Sequence, residues 1–425
     1  MNPAKRKLLE RIDDNRDQLI AYLREFISRP SPNPPGDTVA CADHVRTLLD
    51  AHGAGYRVIA PEKTMPNIIA SFEGARPGRH LALNGHIDVF PAGDGAGWTV
   101  DPWGADLIDG KIYGRGACDM KSGTTASIFA YLYLREMRDE LCGRATLSVV
   151  SDEETFGPWG ARYLFEHHPE IIGDCCLNGE PTGREIFRFG EKGPLWLRFT
   201  VNTHGAHGAY VHRSKSATSI AAKVIGELEA LQDLDPPADD NISSALDGIA
   251  SIVDRAWGEG AAHNVRRITV NPGLVTGGVK VNMVAARCSF EVDIRLPNGF
   301  DVAEIHRRVD EICSRFPEVA WEEILYNPPN WSPPDSEMSG YVCANAKAVS
   351  GIEPVPAISL GSTDARLWRY HDVPAVVFGP SPIEMGGVDE CVAVDEFLDM
   401  VKVHVCSAYD YLSRPGPDRP VTTQS

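Results

Sequence analysis

No run of about 18 apolar residues occurs in the 425-residue sequence, so it offers no segment long enough to span a bilayer as a helix. Phosphate binding needs clustered Lys and Arg, and the overall charge runs the other way. The 41 basic residues face 59 acidic ones, a formal net charge of −18 that argues against nucleic acid as a partner. The ten cysteines are scattered without CxxC spacing, which gives no sign of a zinc knuckle or redox couple and predicts buried thiols in a reducing compartment. The opening segment from Met1 to Asp14 is charged throughout and lacks the apolar core of a secretory signal, so a cytoplasmic location is the default expectation. What is present is globular in character: 43% hydrophobic and 24% charged residues predict a packed chain, and its length favours more than one domain.

The hydrophobic pattern has three stretches. The first 55 residues read as helix, a Pro-rich loop from Arg29 to Gly36, and a second amphipathic helix from Thr38 to His52. From Asn67 to Glu154, apolar strands alternate with a helix over Gly123 to Met137, which predicts an α/β sheet covered on both faces. From Glu185 to Pro297 the period changes to two, as in Leu195-Trp-Leu-Arg-Phe-Thr-Val-Asn202. Such alternation predicts antiparallel strands with one wet face. The expected architecture is therefore an α/β catalytic domain with a mostly parallel sheet over residues 1–184 and 306–425, and an inserted α+β lid over 185–305. The tail from Arg414, rich in proline, reads as disordered.

Four polar clusters border apolar strands. Gly85-His86-Ile87-Asp88 puts an acid two residues from a histidine, where it can accept one imidazole N–H and free the other nitrogen for a metal. Alone, such a pair is usually structural. Gly114-Arg-Gly-Ala-Cys-Asp119 places a carboxylate in a glycine-flanked loop before a helix, which is equally well an N-cap. Ser151-Asp152-Glu153-Glu154 sets three repelling acids directly after a buried strand, a costly arrangement unless a cation or proton neutralises them. Glu180 follows the apolar stretch ending at Leu177. Together they meet the expectation that ligands gather beyond the carboxyl ends of parallel strands. One histidine with several carboxylates suits a divalent cation such as Mn, Zn or Co.

The ordered set GHIDV, GRGACDMKSG, SDEE and GEPTG resembles the M20 family of metallopeptidases and deacylases, which includes acetylornithine deacetylase and succinyl-diaminopimelate desuccinylase. Thr203-His-Gly-Ala-His207-Gly, Gly277-Gly-Val-Lys-Val-Asn282, Asp293-Ile-Arg295 and Gly361-Ser-Thr-Asp364-Ala-Arg366 extend the resemblance over nearly the whole chain. It implies that His86, Asp119 and Glu180 hold one metal and that Glu154 serves a second. It further implies Glu153 as general base, Asp88 as the group orienting His86, and His207 as an oxyanion donor reaching a neighbouring subunit. Arg366, Asn282 and Arg295 become candidates for binding a carboxylate-bearing small molecule, and a homo-oligomer, at least a dimer through the lid, is implied with them.

One position departs from the family pattern. Where its members carry a histidine four residues before a glutamate, this chain has Gly386 before Glu390. The loss falls on the Glu154 metal, so the expectation is one divalent ion per subunit, unless Glu384 substitutes as a ligand. Space beside Gly386-Gly387 suits a flat ring, with Trp98, Trp103, Phe156 and Trp159 as candidate walls. As a whole the chain is similar to members that deaminate an aryl amine with metal-activated water, converting 5-nitroanthranilate to 5-nitrosalicylate and ammonia. That reading is set first here. Hydrolysis of an N-acyl amino acid or a peptide is the alternative, and a non-catalytic metal or ligand-binding protein is the alternative of another class.

Overall fold

A computed structural model describes residues 2–235 and 240–415. The chain separates into two compact units, one of residues 1–189, 332–357 and 363–425, the other of residues 190–331 and 358–362. The expected proline-rich tail lies outside the described residues beyond 415.

The first unit is built on a sheet whose central strands run parallel. Arg76–His86 lies between Cys142–Val150 and Cys175–Asn178, parallel to both, and Ala375–Val377 continues the parallel set beside Cys175–Asn178. Asn67–Glu73 and Tyr56–Ile59 close one side antiparallel. The strands read as near-continuous apolar runs because helices cover both faces. Ser122–Glu136 and the 19-residue Val394–Leu412 pack together on one face. On the other, Leu164, Phe165, Leu367 and Trp368 join Ala82, Val150 and Cys176 in one core. The helix expected over the N-terminal segment is two, Pro3–Asp14 and Arg16–Ile27, separated at Asn15.

The second unit is a four-stranded antiparallel sheet in the order Thr269–Gly277, Arg287–Leu296, Gly193–Asn202, Val319–Tyr326. Period-two alternation buries Leu195, Leu197, Phe199 and Val201 against Phe290, Val292 and Ile294, with Phe199 and Phe290 stacked at 4.7 Å. Helices Ala217–Glu229 and Val302–Ser314 complete this core. The unit therefore ends near 331, where 305 was expected. Val319–Tyr326 pairs with Gly193–Asn202, and its helix Val302–Ser314 buries Ile305, Val309 and Ile312 in the same core.

Candidate metal centre

Three of the four acidic clusters sit where parallel strands end. His86 is the last residue of Arg76–His86, Glu153 and Glu154 follow Cys142–Val150, and Glu180 follows Cys175–Asn178. Asp119 comes from the turn before Ser122–Glu136. That helix can start so close to the Glu180 loop because Gly123 faces Gly179. A β-carbon on Gly123 would lie 2.1 Å from the Gly179 carbonyl oxygen, so any larger residue would push Asp119 and Glu180 apart.

His86 is buried, and its Nε2 lies 3.2 Å from Glu180 Oε1 and 3.3 Å from Asp119 Oδ1. These three residues are the group among the described residues whose ligand atoms fall within 4.8 Å of one another. Despite those short distances His86 Nε2 makes no hydrogen bond, because the carboxylate oxygens are not aligned to receive one. A buried nitrogen converging with two carboxylates at about 3.3 Å has the spacing of neighbouring ligands around a cation held at roughly 2.0–2.2 Å. The residues present therefore fit a divalent metal. Glu153 Oε1 and Glu154 Oε1 are also buried without hydrogen-bond partners.

The electrostatics of the site favour a bound cation. Burial raises the Glu180 carboxyl to about 7, and the charge of Asp119 adds to it against the pull of His86. Burial likewise holds Glu153 and Glu154 well above the usual carboxylate range. Burial would lower the His86 imidazole, but Glu180, Asp119 and Asp88 outweigh it and hold the ring well above its ordinary value. A cation removes the need for these protons.

The structure reassigns several expected roles. The carboxylate of Asp88 does not receive the imidazole N–H; His86 Nδ1 donates to the Asp88 backbone carbonyl at 2.9 Å, and the nearest carboxylate oxygen is 3.5 Å away. The reason is that the strand ends at His86, so the shared-face geometry of alternate residues no longer applies at Asp88. The backbone carbonyl still fixes the tautomer. The Asp88 carboxylate instead accepts the N–H groups of Glu153 at 3.2 Å and Glu154 at 3.1 Å. Arg366, expected to bind substrate, is buried among protein partners. Its Nη1 donates to the Thr363 carbonyl at 2.7 Å and lies 3.6 Å from Glu153 Oε1, and its guanidinium stands 4.8 Å from the Phe156 ring. Glu154 lies outside the His86–Asp119–Glu180 group. His207, Asn282 and Arg295 belong to the second unit. There His207 Nδ1 accepts from the Ala209 N–H at 3.2 Å, the Asn282 carbonyl accepts from Gly208 N–H at 2.7 Å, and Arg295 pairs with Asp293 at 2.8 Å.

Glu390 had no assigned role. It is buried, accepts the N–H groups of Cys118 at 2.9 Å and Asp119 at 3.1 Å through Oε1, and pairs with Arg115 at 2.5 Å. Arg115 also donates to the carbonyls of Gly386 and Gly387, tying the altered loop to the Asp119 turn. Gly386 itself has φ +71°, and the atoms nearest a β-carbon there are those of the Phe90 ring, at 3.5 Å. Glu384 is exposed and stands outside the three-ligand group.

An α/β sheet with a buried His86–Asp119–Glu180 centre beside the Glu153 carboxylate fits a metal-dependent hydrolase. The chain belongs to peptidase family M20/M25/M40, whose model matches residues 82–410. A succinyl-diaminopimelate desuccinylase of Cereibacter sphaeroides is 28% identical over 407 residues, 93% of this chain and 99% of that protein. The M20 metallo-carboxypeptidase of Sulfolobus solfataricus superposes with a TM-score of 0.78 at 18% identity, covering 92% of this chain and 99% of its own. A dinuclear metal-binding M20 peptidase of Bacillus subtilis gives 0.65 at 16% identity, covering 94% and 99%. The chain is thus an enzyme that hydrolyses C–N bonds with a divalent metal. Among the described residues no helix is long and apolar enough to cross a membrane.

Proposed function

We propose that this enzyme hydrolyses an N-acyl bond of a small carboxylate-bearing substrate, with one divalent ion, Mn, Zn or Co, held by His86, Asp119 and Glu180. The carrying observation is the buried His86 Nε2 that faces two carboxylates without a hydrogen bond, beside a Glu153 Oε1 that also has none. When bound, the metal supplies Lewis acidity at the scissile group and lowers the pKa of water. Glu153 takes the proton from that water and returns it to the departing nitrogen. Asp88 fixes the base by holding the Glu153 and Glu154 amides, and Arg366 sets one side of the Glu153 carboxylate. His207, supplied by a second copy in a homodimer, stabilises the developing oxyanion. Extended similarity to desuccinylases supports the acyl substrate over the aryl amine set first from the sequence.

Deamination of an aryl amine stands as a second reading because of one feature. The family's histidine is replaced by Gly386, and the ring that borders the open position is Phe90, 42% exposed. An aromatic substrate can stack on such a face. Assaying N-succinyl and N-acetyl amino acids beside 5-nitroanthranilate decides between them. Turnover of the acylated compounds alone supports the first reading; turnover of 5-nitroanthranilate alone overturns it.

A further inference from the structure

The Pro-rich loop ahead of the catalytic strands is fastened behind the metal centre. Asn33 N–H donates to the Val89 carbonyl at 2.9 Å, Val89 N–H to Ser31 at 3.0 Å, and Lys121 Nζ to the Arg29 carbonyl at 2.7 Å. This brings the Asn33 side chain, 4% exposed, between two buried acids. Its Nδ2 donates to Asp88 Oδ2 at 2.9 Å and to Asp152 Oδ1 at 3.0 Å. Carboxylates only accept, so the amide orientation follows from its partners and both N–H groups are used.

Each acid governs the loop that bears the base. Asp88 accepts the backbone N–H groups of Glu153 and Glu154. Asp152 accepts Thr155 Oγ1 at 2.7 Å and the Trp159 N–H at 3.0 Å, closing the turn that follows Glu153. Gly157 packs so closely that a β-carbon would lie 1.9 Å from the Asp152 carboxylate. We propose that Asn33 is a positioning residue of the reaction centre, whose single amide bridges Asp88 and Asp152 and so fixes the Glu153–Glu154 backbone relative to His86. An aliphatic side chain there leaves two buried carboxylates facing each other with no donor between them. Relaxation of that repulsion moves Glu153, and a displacement of about 1 Å costs on the order of 100-fold in rate.

The proposal rests on the hydrolase reading above, and its test separates the two. Full-length Asn33→Leu and the isosteric Asn33→Asp are loaded with metal and compared with wild type in turnover, metal content and hydrogen exchange of the Glu153 and Glu154 amides. Expected for Asn33→Leu is a kcat loss of about 10–100-fold with KM and metal content retained, and faster exchange of both amides. Asn33→Asp, which donates nothing when ionised, loses further activity as pH rises, a trend wild type lacks. It also serves as the readable variant if Asn33→Leu does not fold. Wild-type kcat and amide protection overturn the proposal, as does a loss fully recovered by excess metal. If wild type turns over none of the substrates offered, the proposed substrate reading fails while the exchange comparison still decides the role of Asn33: unchanged protection rejects it.

Discussion

Replacing Glu153 by Gln separates the chemistry of the base from the energetics of its burial. The glutamate is 6% exposed, its Oε1 has no hydrogen-bond partner, and Oε2 lies 3.9 Å from His86 Nε2. Gln keeps the volume and the backbone N–H bond to Asp88, so the surroundings remain in place. Loss of a general base costs about 10²–10⁴-fold in kcat, or about 2.7–5.5 kcal/mol. Stability moves the other way. Burial is the largest cause of the raised Glu153 pKa, followed by the opposing pull of His86 and the repulsion of Asp364 and Glu180. In the metal-free protein above pH 5 the folded state thus binds more protons than the unfolded chain, so stability falls as pH rises, and Gln removes that cost. Each tenfold in proton affinity is worth about 1.4 kcal/mol, roughly 1.5 °C in Tm for a chain of this length. Steady-state kinetics and calorimetry at pH 8 read both effects. A kcat within tenfold of wild type refutes the base assignment, and a lowered Tm refutes the electrostatic argument.

Other outcomes follow from the same geometry. Because Glu180 sits at about 7 and the His86 imidazole is held well above its ordinary value, protons compete with metal at both ligands; competition titrations should show metal affinity weakening at least about fivefold from pH 7 to 6. Burial holds His44 and His404 at about 4, so the unfolded chain binds more protons between pH 6.5 and 4 and stability falls as pH drops through that window. The loss reaches about 3 kcal/mol per histidine, and His404→Gln should flatten the slope of denaturant midpoints against pH. Gly386→His should raise metal content above that of wild type, at a folding cost of about 1–3 kcal/mol for a side chain at φ +71°. Phe290→Ala, removing the ring stacked on Phe199, should destabilise the second unit by about 3–5 kcal/mol in a denaturation curve.

The α/β alternation and the period-two strands were legible because burial imposes a period directly on the sequence. The expected helix Gly123 to Met137 corresponds to Ser122–Glu136, and the alternation at Leu195 to Asn202 falls within Gly193–Asn202. The unit boundary was less legible, because membership of Val319–Tyr326 depends on a long-range pairing with Gly193–Asn202. At the site, residue types and strand-end positions pointed to His86, Asp119 and Glu180. Contacts were harder to read. Where the strand stops at His86 the Asp88 side chain leaves the pattern, and a carboxylate expected on the imidazole takes the Glu153 and Glu154 amides. The contacts of Asn33 and Glu390 carry no local signal, since their side-chain partners lie 55 to 275 residues away.

Metal analysis of purified protein equilibrated with excess Mn, Zn or Co tests the central claim most directly. One tightly held ion per chain, lost on replacing His86 or Asp119 with Ala, is the predicted result. Two ions per chain, or one that survives the Asp119→Ala change, contradicts it.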